Sequence, residues 1–153
     1  MKKLLLCLFV TLLLTGCGGG NYKEGVYEAT AADNYGGQSN IASAKVEVGS
    51  DGKIKSVYLD TTYTKDGVAT TKKELGYDYG MKNVSNNLGV IDGGAEWFEQ
   101  VEALEKKVVS EQGIDFIKWT DDSKTKTDSV AGCTIDISAL YEALSKALEE
   151  ARK

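Results

Sequence analysis

The chain has 153 residues, with 18 basic and 23 acidic side chains, a formal net charge of −5 and no histidine. This length fits one domain with processing signals, and the acidic balance argues against a nucleic-acid partner, which needs a basic face. The lack of histidine excludes serine–histidine and cysteine–histidine nucleophile pairs and removes the commonest transition-metal ligand.

Residues 1–16 are typical of a secretory signal peptide. Two lysines precede an apolar run that ends at Leu14 and is too short for a comfortable membrane span. The sequence LTGC at its end resembles the lipobox of bacterial lipoproteins, which implies cleavage before Cys17 and thioether lipidation of that cysteine. An ordinary cleaved signal peptide is the alternative. Residues 17–21 would then be a lipidated, flexible linker to a domain of residues 22–153.

Signal cleavage decides the state of the cysteines. Cys7 leaves with the signal peptide and Cys17 carries the lipid, so Cys133 is the free thiol of the mature chain. We therefore expect neither an intramolecular disulfide nor a cysteine cluster for zinc or iron–sulfur binding. Loss of two lysines lowers the formal charge from −5 to −7, which suits an exposed domain outside the cytoplasm.

Alternating apolar residues predict three strands in the first half of the domain. The first is EGVYEATA and the second IASAKVEVGS, in which Ala44, Val46 and Val48 share one face. SDGK is a turn signal before the return strand KIKSVYLDTTYT. Within that strand the alternation slips between Ile54 and Val57, which indicates a β-bulge. An antiparallel meander is the simplest arrangement.

Helical patterns dominate the second half. KKELGYDYGMKN predicts a broken short helix, AEWFEQVEALEKKVVSEQG a firm helix that stops at Gly113, and IDFIKW a short strand. A closing helix is predicted over residues 136–151, with Asp136 as its N-cap. Apolar stripes that we interpret as core are formed by Trp97, Val101, Leu104 and Val108, and by Leu140, Leu144, Ala147, Leu148 and Ala151. Together these elements predict an α+β domain, a small antiparallel sheet packed against two or three helices.

The segment DSVAGCT, residues 128–134, precedes the closing helix and has the composition of a phosphate site. The first-turn amides of a helix lack intrahelical partners and favour an anion. Gly132 permits unusual dihedrals and a close approach of the backbone, while Thr134 supplies a hydroxyl and Asp128 a carboxylate. An ordinary loop and helix cap is the alternative interpretation.

The same segment resembles the flavinylation motif of the FMN-binding domain family, D-x-x-S/T-G-A-T/S. Members occur in the C subunit of the sodium-pumping NADH:quinone reductase and in extracellular electron-transfer lipoproteins. They carry FMN as a phosphoester on the last hydroxyl residue of the motif, attached by a flavin transferase. Carried over, Asp128 takes the acidic position, Gly132 the glycine and Thr134 the acceptor. Ala131 replaces the usual Ser or Thr, and Cys133 the usual Ala.

The likeness extends over most of the mature chain. NYKEGVYEA, KVEVGSDGKIKSVYLD, and TKDG followed by YDYGMK resemble segments of flavin-carrying surface lipoproteins. Tyr77, Tyr79 and Met81 are candidates to flank the isoalloxazine ring, because aromatic faces stack on it and a thioether adapts to its edge. The alternative is a helix that buries Tyr77 and Met81 in the core.

Three further side chains have two interpretations each. Trp97 and Trp119 are expected in the core rather than against a flavin. Cys133, next to the acceptor, is either a redox-active thiol or, as we expect, a small buried one.

The resemblance implies a lipid-anchored FMN protein that carries electrons, rather than a classical enzyme. Electrons would arrive from a membrane dehydrogenase or quinol and leave to an external acceptor, on the extracytoplasmic face of the cell membrane. The alternative is a surface lipoprotein of the same fold without flavin, acting as a ligand-binding or protein-interaction module. The departures at Ala131 and Cys133 favour that alternative.

Overall fold

The apolar–polar alternation in the first half of the chain produces a four-strand antiparallel sheet with the strand order β1–β2–β3–β4. The computed structural model describes residues 20–34 and 37–153, so the predicted signal peptide, the predicted lipobox and Cys17 lie outside the described residues. The strands are β1 (Gly25–Asp33), β2 (Asn40–Val48), β3 (Ile54–Lys65) and β4 (Val68–Thr71). The predicted meander is confirmed, and β4 is added to it through a tight turn at Asp66 and Gly67.

The predicted β-bulge lies in β3. Glu47 pairs with Ser56 whereas the next residue, Val48, pairs with Ile54, so Lys55 is the extra residue. One extra residue shifts the two-residue period by one position. Ile54 and Val57 are therefore both buried although they stand three residues apart.

Five helical segments follow the sheet. The predicted broken helix consists of α1 (Lys72–Leu75), a 3-10 turn (Gly76–Tyr79) and α2 (Lys82–Asn87). Gly80 separates the turn from α2 in the left-handed region, with φ of 81°, where glycine has no steric penalty. The two long helices are α3 (Trp97–Glu111) and α4 (Ser138–Ala151). Within the described residues, no helix is both long and apolar enough to cross a membrane.

The two long helices cover one face of the sheet and confirm the α+β class. α4 packs across β1 and β2, and α3 packs across β3. Both predicted apolar stripes are buried. Because each fully buried aliphatic or aromatic side chain stabilises a fold by about 1.5–3 kcal/mol, these stripes account for the attachment of both helices to the sheet.

The predicted strand IDFIKW is wrong. Residues 114–118 form turns and irregular chain, and Trp119 makes only an isolated bridge with Thr127. A short apolar run can be buried without pairing, and here Phe116, Ile117 and Trp119 pack against the core from a loop. Trp119 is half-buried against the Tyr141 ring, with a centroid separation of 4.9 Å.

The end of α3 and the start of α4 differ slightly from the prediction. The left-handed residue after α3 is Gln112, with φ of 58°, rather than Gly113. Two hydrogen bonds of the Gln112 side chain offset the energetic cost of this left-handed conformation. Its Oε1 accepts from Ile54 N–H at 2.8 Å, and its Nε2 donates to Ile54 O at 3.0 Å. α4 begins at Ser138 rather than Asp136, but the Asp136 carboxylate accepts from Ser138 N–H at 2.8 Å.

Candidate functional site

A cavity of about 480 Å³ lies where the sheet, the α1–α2 segment, α3 and the start of α4 meet. Its volume falls within the range of about 300–1,000 Å³ that is usual for small-molecule sites. Each element contributes side chains to the wall: Asp33, Thr61, Lys72, Tyr79, Met81, Trp97, Gln100 and Thr134 among them. The cavity therefore brings together residues from four separate parts of the sequence.

Thr134, the predicted acceptor, lies in the cavity wall and is partly exposed. Its backbone N–H and its hydroxyl both donate to Gln100 Oε1, at 2.9 and 3.2 Å. Gln100 is only 1% exposed, and its Nε2 donates to Ala95 O at 3.4 Å and to Met81 Sδ at 3.5 Å. One buried amide thus positions both the acceptor hydroxyl and the thioether.

Gln100 was missed in the sequence, although a signal was present. It stands three residues after Trp97 and next to Val101, on the face of α3 that is otherwise apolar. A polar residue on a buried stripe is informative because such residues are buried only with hydrogen-bond partners.

The other motif residues lie outside the cavity wall. Gly132 is exposed with φ of 79°, and a Cβ added there would meet nothing within 4 Å. Its dihedral angle, rather than crowding, therefore favours glycine. Asp128 is exposed on the surface loop before it. Cys133 is buried, as expected, and burial raises the pKa of its thiol to about 11.

The start of α4 differs from the expected set of unpartnered amides. Besides the Thr134 amide, which donates to Gln100, Ile137 N–H donates to Thr125 O at 2.8 Å and Ser138 N–H to Asp136 Oδ1. The expectation of free amides is wrong at these three positions. A carboxylate at the helix start also offsets the positive end of the helix dipole. The cations in the cavity wall are Lys72 and Lys126.

The three ring-flanking candidates separate in the structure. Tyr79 and Met81 line the cavity, whereas Tyr77 is 65% exposed with its ring against the edge of Phe98. The alternative of one helix burying Tyr77 and Met81 is wrong, because the left-handed Gly80 interrupts the helix between them. Trp97 is buried and also faces the cavity, so it belongs both to the core and to the site.

Three polar side chains, those of Thr61, Lys72 and Asp33, form the inner end of the cavity. Nothing in the sequence pattern indicated that they meet there. Lys72 is 5% exposed, with Nζ 3.3 Å from Asp33 Oδ2 and 5.2 Å from the centroid of the Trp97 ring. Thr61 is 1% exposed, and its Oγ1 has no hydrogen-bond partner among residues 20–34 and 37–153. Buried lysines and unpartnered buried hydroxyls are both rare in folded proteins.

The wall built from α2 is tied to the start of α3. The Glu96 carboxylate accepts from Met81 N–H at 2.8 Å and from Lys82 N–H at 3.0 Å. Ser85 Oγ accepts from Ala95 N–H at 2.8 Å. These contacts hold α2 over the cavity, where the outer rim is apolar and exposed; it is formed by Val84, Leu88 and Val90.

A scan against protein-family models, a search of curated proteins and a search of solved structures found no match. The chemistry of the cavity therefore has to be inferred from the chain's own residues.

Proposed function

We propose that this chain is a lipid-anchored flavoprotein that carries FMN as a phosphoester on Thr134 and transfers electrons on the extracytoplasmic face of the membrane. The observation that carries the proposal is the Thr134 hydroxyl in the wall of a cavity that Trp97, Tyr79 and Met81 also line. Aromatic faces and a thioether suit a flat heteroaromatic ring. The motif supplies a hydroxyl in the wall of a cavity whose volume is usual for a small-molecule site.

The cavity residues fit FMN in their chemistry as well as in volume. Lys126 and Lys72 provide positive charge in a wall that would face a phosphate and a polar ring edge. The Thr61 hydroxyl, buried without a partner among the described residues, suits a hydrogen bond to a ligand. When bound, FMN supplies the electron-accepting ring, and the chain's own side chains hold it, limit solvent and set its surroundings.

Attachment requires a flavin transferase as partner. The Thr134 Oγ1–phosphorus bond would form, the hydroxyl proton would pass to solvent, and the phosphoanhydride bond of a flavin dinucleotide donor would break, so that a nucleoside monophosphate leaves. The chain therefore gains one FMN less one water. Gln100 orients the Thr134 hydroxyl for this step, since Gln100 Oε1 accepts a hydrogen bond from that hydroxyl at 3.2 Å. The carboxylate of Asp128 is exposed and therefore accessible to the transferase or its metal.

The electron donor in this proposal is a membrane dehydrogenase or a quinol, and the acceptor lies outside the cell. Lipidation at Cys17 holds the domain near such a donor. Cys133, the free thiol among the described residues, is buried with a raised pKa, which leaves redox chemistry to the cofactor rather than to side chains.

Intact mass measurement of the chain co-expressed with a flavin transferase tests the attachment. We expect a gain of one FMN less one water, abolished in Thr134→Ala and retained in Thr134→Ser, which keeps the hydroxyl. An unmodified, colourless wild-type chain would refute the proposal. Yellow protein that loses its colour on denaturation and dialysis would show non-covalent FMN instead.

A second function, a surface lipoprotein that binds a different ligand, is favoured by the α4 start. Its amides at Thr134, Ile137 and Ser138 already have partners, and the Asp136 carboxylate lies there. Together with Ala131 and Cys133 in the motif, these partnered amides and this carboxylate make the start of α4 less favourable for binding a phosphate. Saturation of the cavity by an apolar ligand in a chain that the transferase leaves unmodified would support this function.

A further inference from the structure

We infer that the inner end of the cavity, formed by Thr61, Lys72 and Asp33, binds the carbonyl–imide edge of the ring, and that Lys72 favours the reduced form of the ring. This inference rests on the proposed function, because it takes the ligand of the cavity to be a flavin. It assigns a role to three residues outside the attachment motif.

Thr61 is the first part of the argument. It lies in the cavity wall on β3, and its Oγ1 is buried without a hydrogen-bond partner in the described part of the chain. Leaving a buried hydroxyl unpartnered destabilises a fold, whereas valine has nearly the same shape without that cost. A threonine at this position is explained when the hydroxyl donates to, or accepts from, a ligand.

Lys72 is the second part. An ammonium has three N–H donors, and Asp33 Oδ2, at 3.3 Å, takes one of them. Nζ also stands over the rings of Trp97 and Tyr79, at 5.2 and 5.9 Å from their centroids. The charge is therefore held beside the aromatic wall against which a flat ring would lie. A buried ion pair contributes little net stability, so its position in a cavity wall points to the ligand.

The chemistry of the flavin edge matches these groups. Its ring carbonyls accept hydrogen bonds, and its imide N–H donates one, which suits Thr61, Lys72 and the Asp33 carboxylate. A bound flavin would take up two electrons and one proton from a quinol, whose second proton would go to water, and the reduced ring would then carry a negative charge. Because Lys72 is cationic, it stabilises that anion more than the neutral oxidised ring.

Riboflavin binding to the full chain, expressed without a flavin transferase, tests the hydrogen bond. We expect Thr61→Val to weaken binding about tenfold, the size of one net hydrogen bond, while its thermal midpoint without ligand rises. Thr61→Ser keeps the hydroxyl and keeps most of the affinity. Unchanged riboflavin affinity in Thr61→Val would overturn this part of the inference.

Spectroelectrochemical titration of the bound riboflavin tests the charge. Lys72→Gln should weaken binding of the reduced form relative to the oxidised form by about tenfold, which lowers a two-electron potential by about 30 mV. Asp33→Asn should shift the potential in the opposite direction. Lys73→Gln is the matched control, because Lys73 pairs with Glu105 at 2.6 Å, similarly buried, but does not line the cavity.

The outcomes separate this inference from the proposed function. Riboflavin bound with equal potentials in Lys72→Gln, Asp33→Asn and Lys73→Gln would overturn the inference and leave the flavin proposal standing. A wild-type chain that neither binds riboflavin nor gains FMN would overturn both. If Lys72→Gln fails to fold, the Asp33→Asn potential and the Thr61→Val affinity still decide.

Discussion

At the scale of single residues, Gln100 connects the core to the candidate site. Its Oε1 accepts from both donors of Thr134, and its Nε2 reaches Ala95 and Met81. No other side chain of α3 among the described residues hydrogen-bonds to the loop before α4 in this way. The Thr134 hydroxyl, the proposed acceptor, is therefore oriented by a helix that the motif does not include.

Replacement of this amide should destabilise the fold. We expect Gln100→Ala to lower the free energy of unfolding by about 1–3 kcal/mol, because Thr134 N–H loses its buried acceptor. Urea denaturation measures this loss. Gln38→Ala is the control: the Gln38 side chain bonds to the Thr64 backbone on an exposed edge, and surface changes stay within about 0.5 kcal/mol. Equal stabilities of the two variants would contradict the role assigned to Gln100.

Cys133 makes stability depend on pH in the alkaline range. Burial raises its pKa from 9.0 to about 11. Below the pKa of the thiol in the unfolded chain, both the folded and the unfolded chain hold the thiol proton. The contribution of Cys133 to the free energy of unfolding is therefore fully present there. As pH rises towards the folded pKa, the unfolded chain releases the proton and the folded chain keeps it. The free energy of unfolding then falls, by about 2–3 kcal/mol in all.

Urea denaturation between pH 7 and pH 11 measures this dependence, with Cys133→Ala as reference. We expect the stability difference between wild type and Cys133→Ala to shrink as pH rises through this range. Tyr58, whose pKa burial raises to about 12, titrates in both proteins and cancels in the comparison. A pH-independent difference would show that the thiol is not buried in its neutral form.

At the scale of elements, α2 depends on α3 for its position. α2 has six residues, and an isolated helix of that length is not stable in water. The buried Glu96 carboxylate holds it through the amides of Met81 and Lys82, while the backbone of Glu96 is the N-cap of α3. One side chain therefore joins the cavity wall to a firm helix.

Glu96→Ala should release this wall. We expect the amides of residues 81–88 to exchange hydrogen faster, and global stability to fall by about 1–3 kcal/mol, because buried amides lose a charged acceptor. Glu96→Gln keeps one acceptor oxygen, so its exchange rates and its stability should lie between those of the wild type and Glu96→Ala. Glu102→Ala is the control, since Glu102 forms an exposed pair with Lys106 at 3.7 Å. Slow exchange in Glu96→Ala would contradict this dependence.

At the scale of the whole molecule, the cavity and the start of the described domain at residues 22–23 lie at opposite ends of α4. The start of α4 lines the cavity through Ala139 and Leu140. At its other end, Lys23 N–H donates to Ala151 O at 2.8 Å, and Tyr22 bridges to Arg152. A helix of 14 residues is about 21 Å long. The proposed lipid anchor would therefore enter the domain on the side away from the cavity.

The proposed membrane attachment through Cys17 has a direct test. We expect Cys17→Ser to move the chain from the membrane fraction to the soluble fraction, because the proposed lipid anchor would be lost. Cys7→Ser, which alters only the predicted signal peptide, should leave the mature chain membrane-bound. A soluble wild-type chain would instead support the ordinary cleaved signal peptide.

The sequence by itself determined three of the four strands of the sheet, the bulge at Lys55 and both long helices. These features follow from the local period of apolar residues, because period reports which face of an element is buried. The strand predicted for IDFIKW was wrong because this dependence on period has a limit. A short apolar run has no period that distinguishes a strand from a packed loop.

Only the tertiary structure decided which side chains meet in the cavity. Gln100 contacts Thr134 across 34 residues of sequence, and Lys72 contacts Asp33 across 39. Tyr79 rather than Tyr77 lines the cavity because the two stand two residues apart in the 3-10 turn and therefore project from different sides of it. Such contacts depend on how the helices sit on the sheet, and local sequence patterns carry no information about partners so far apart.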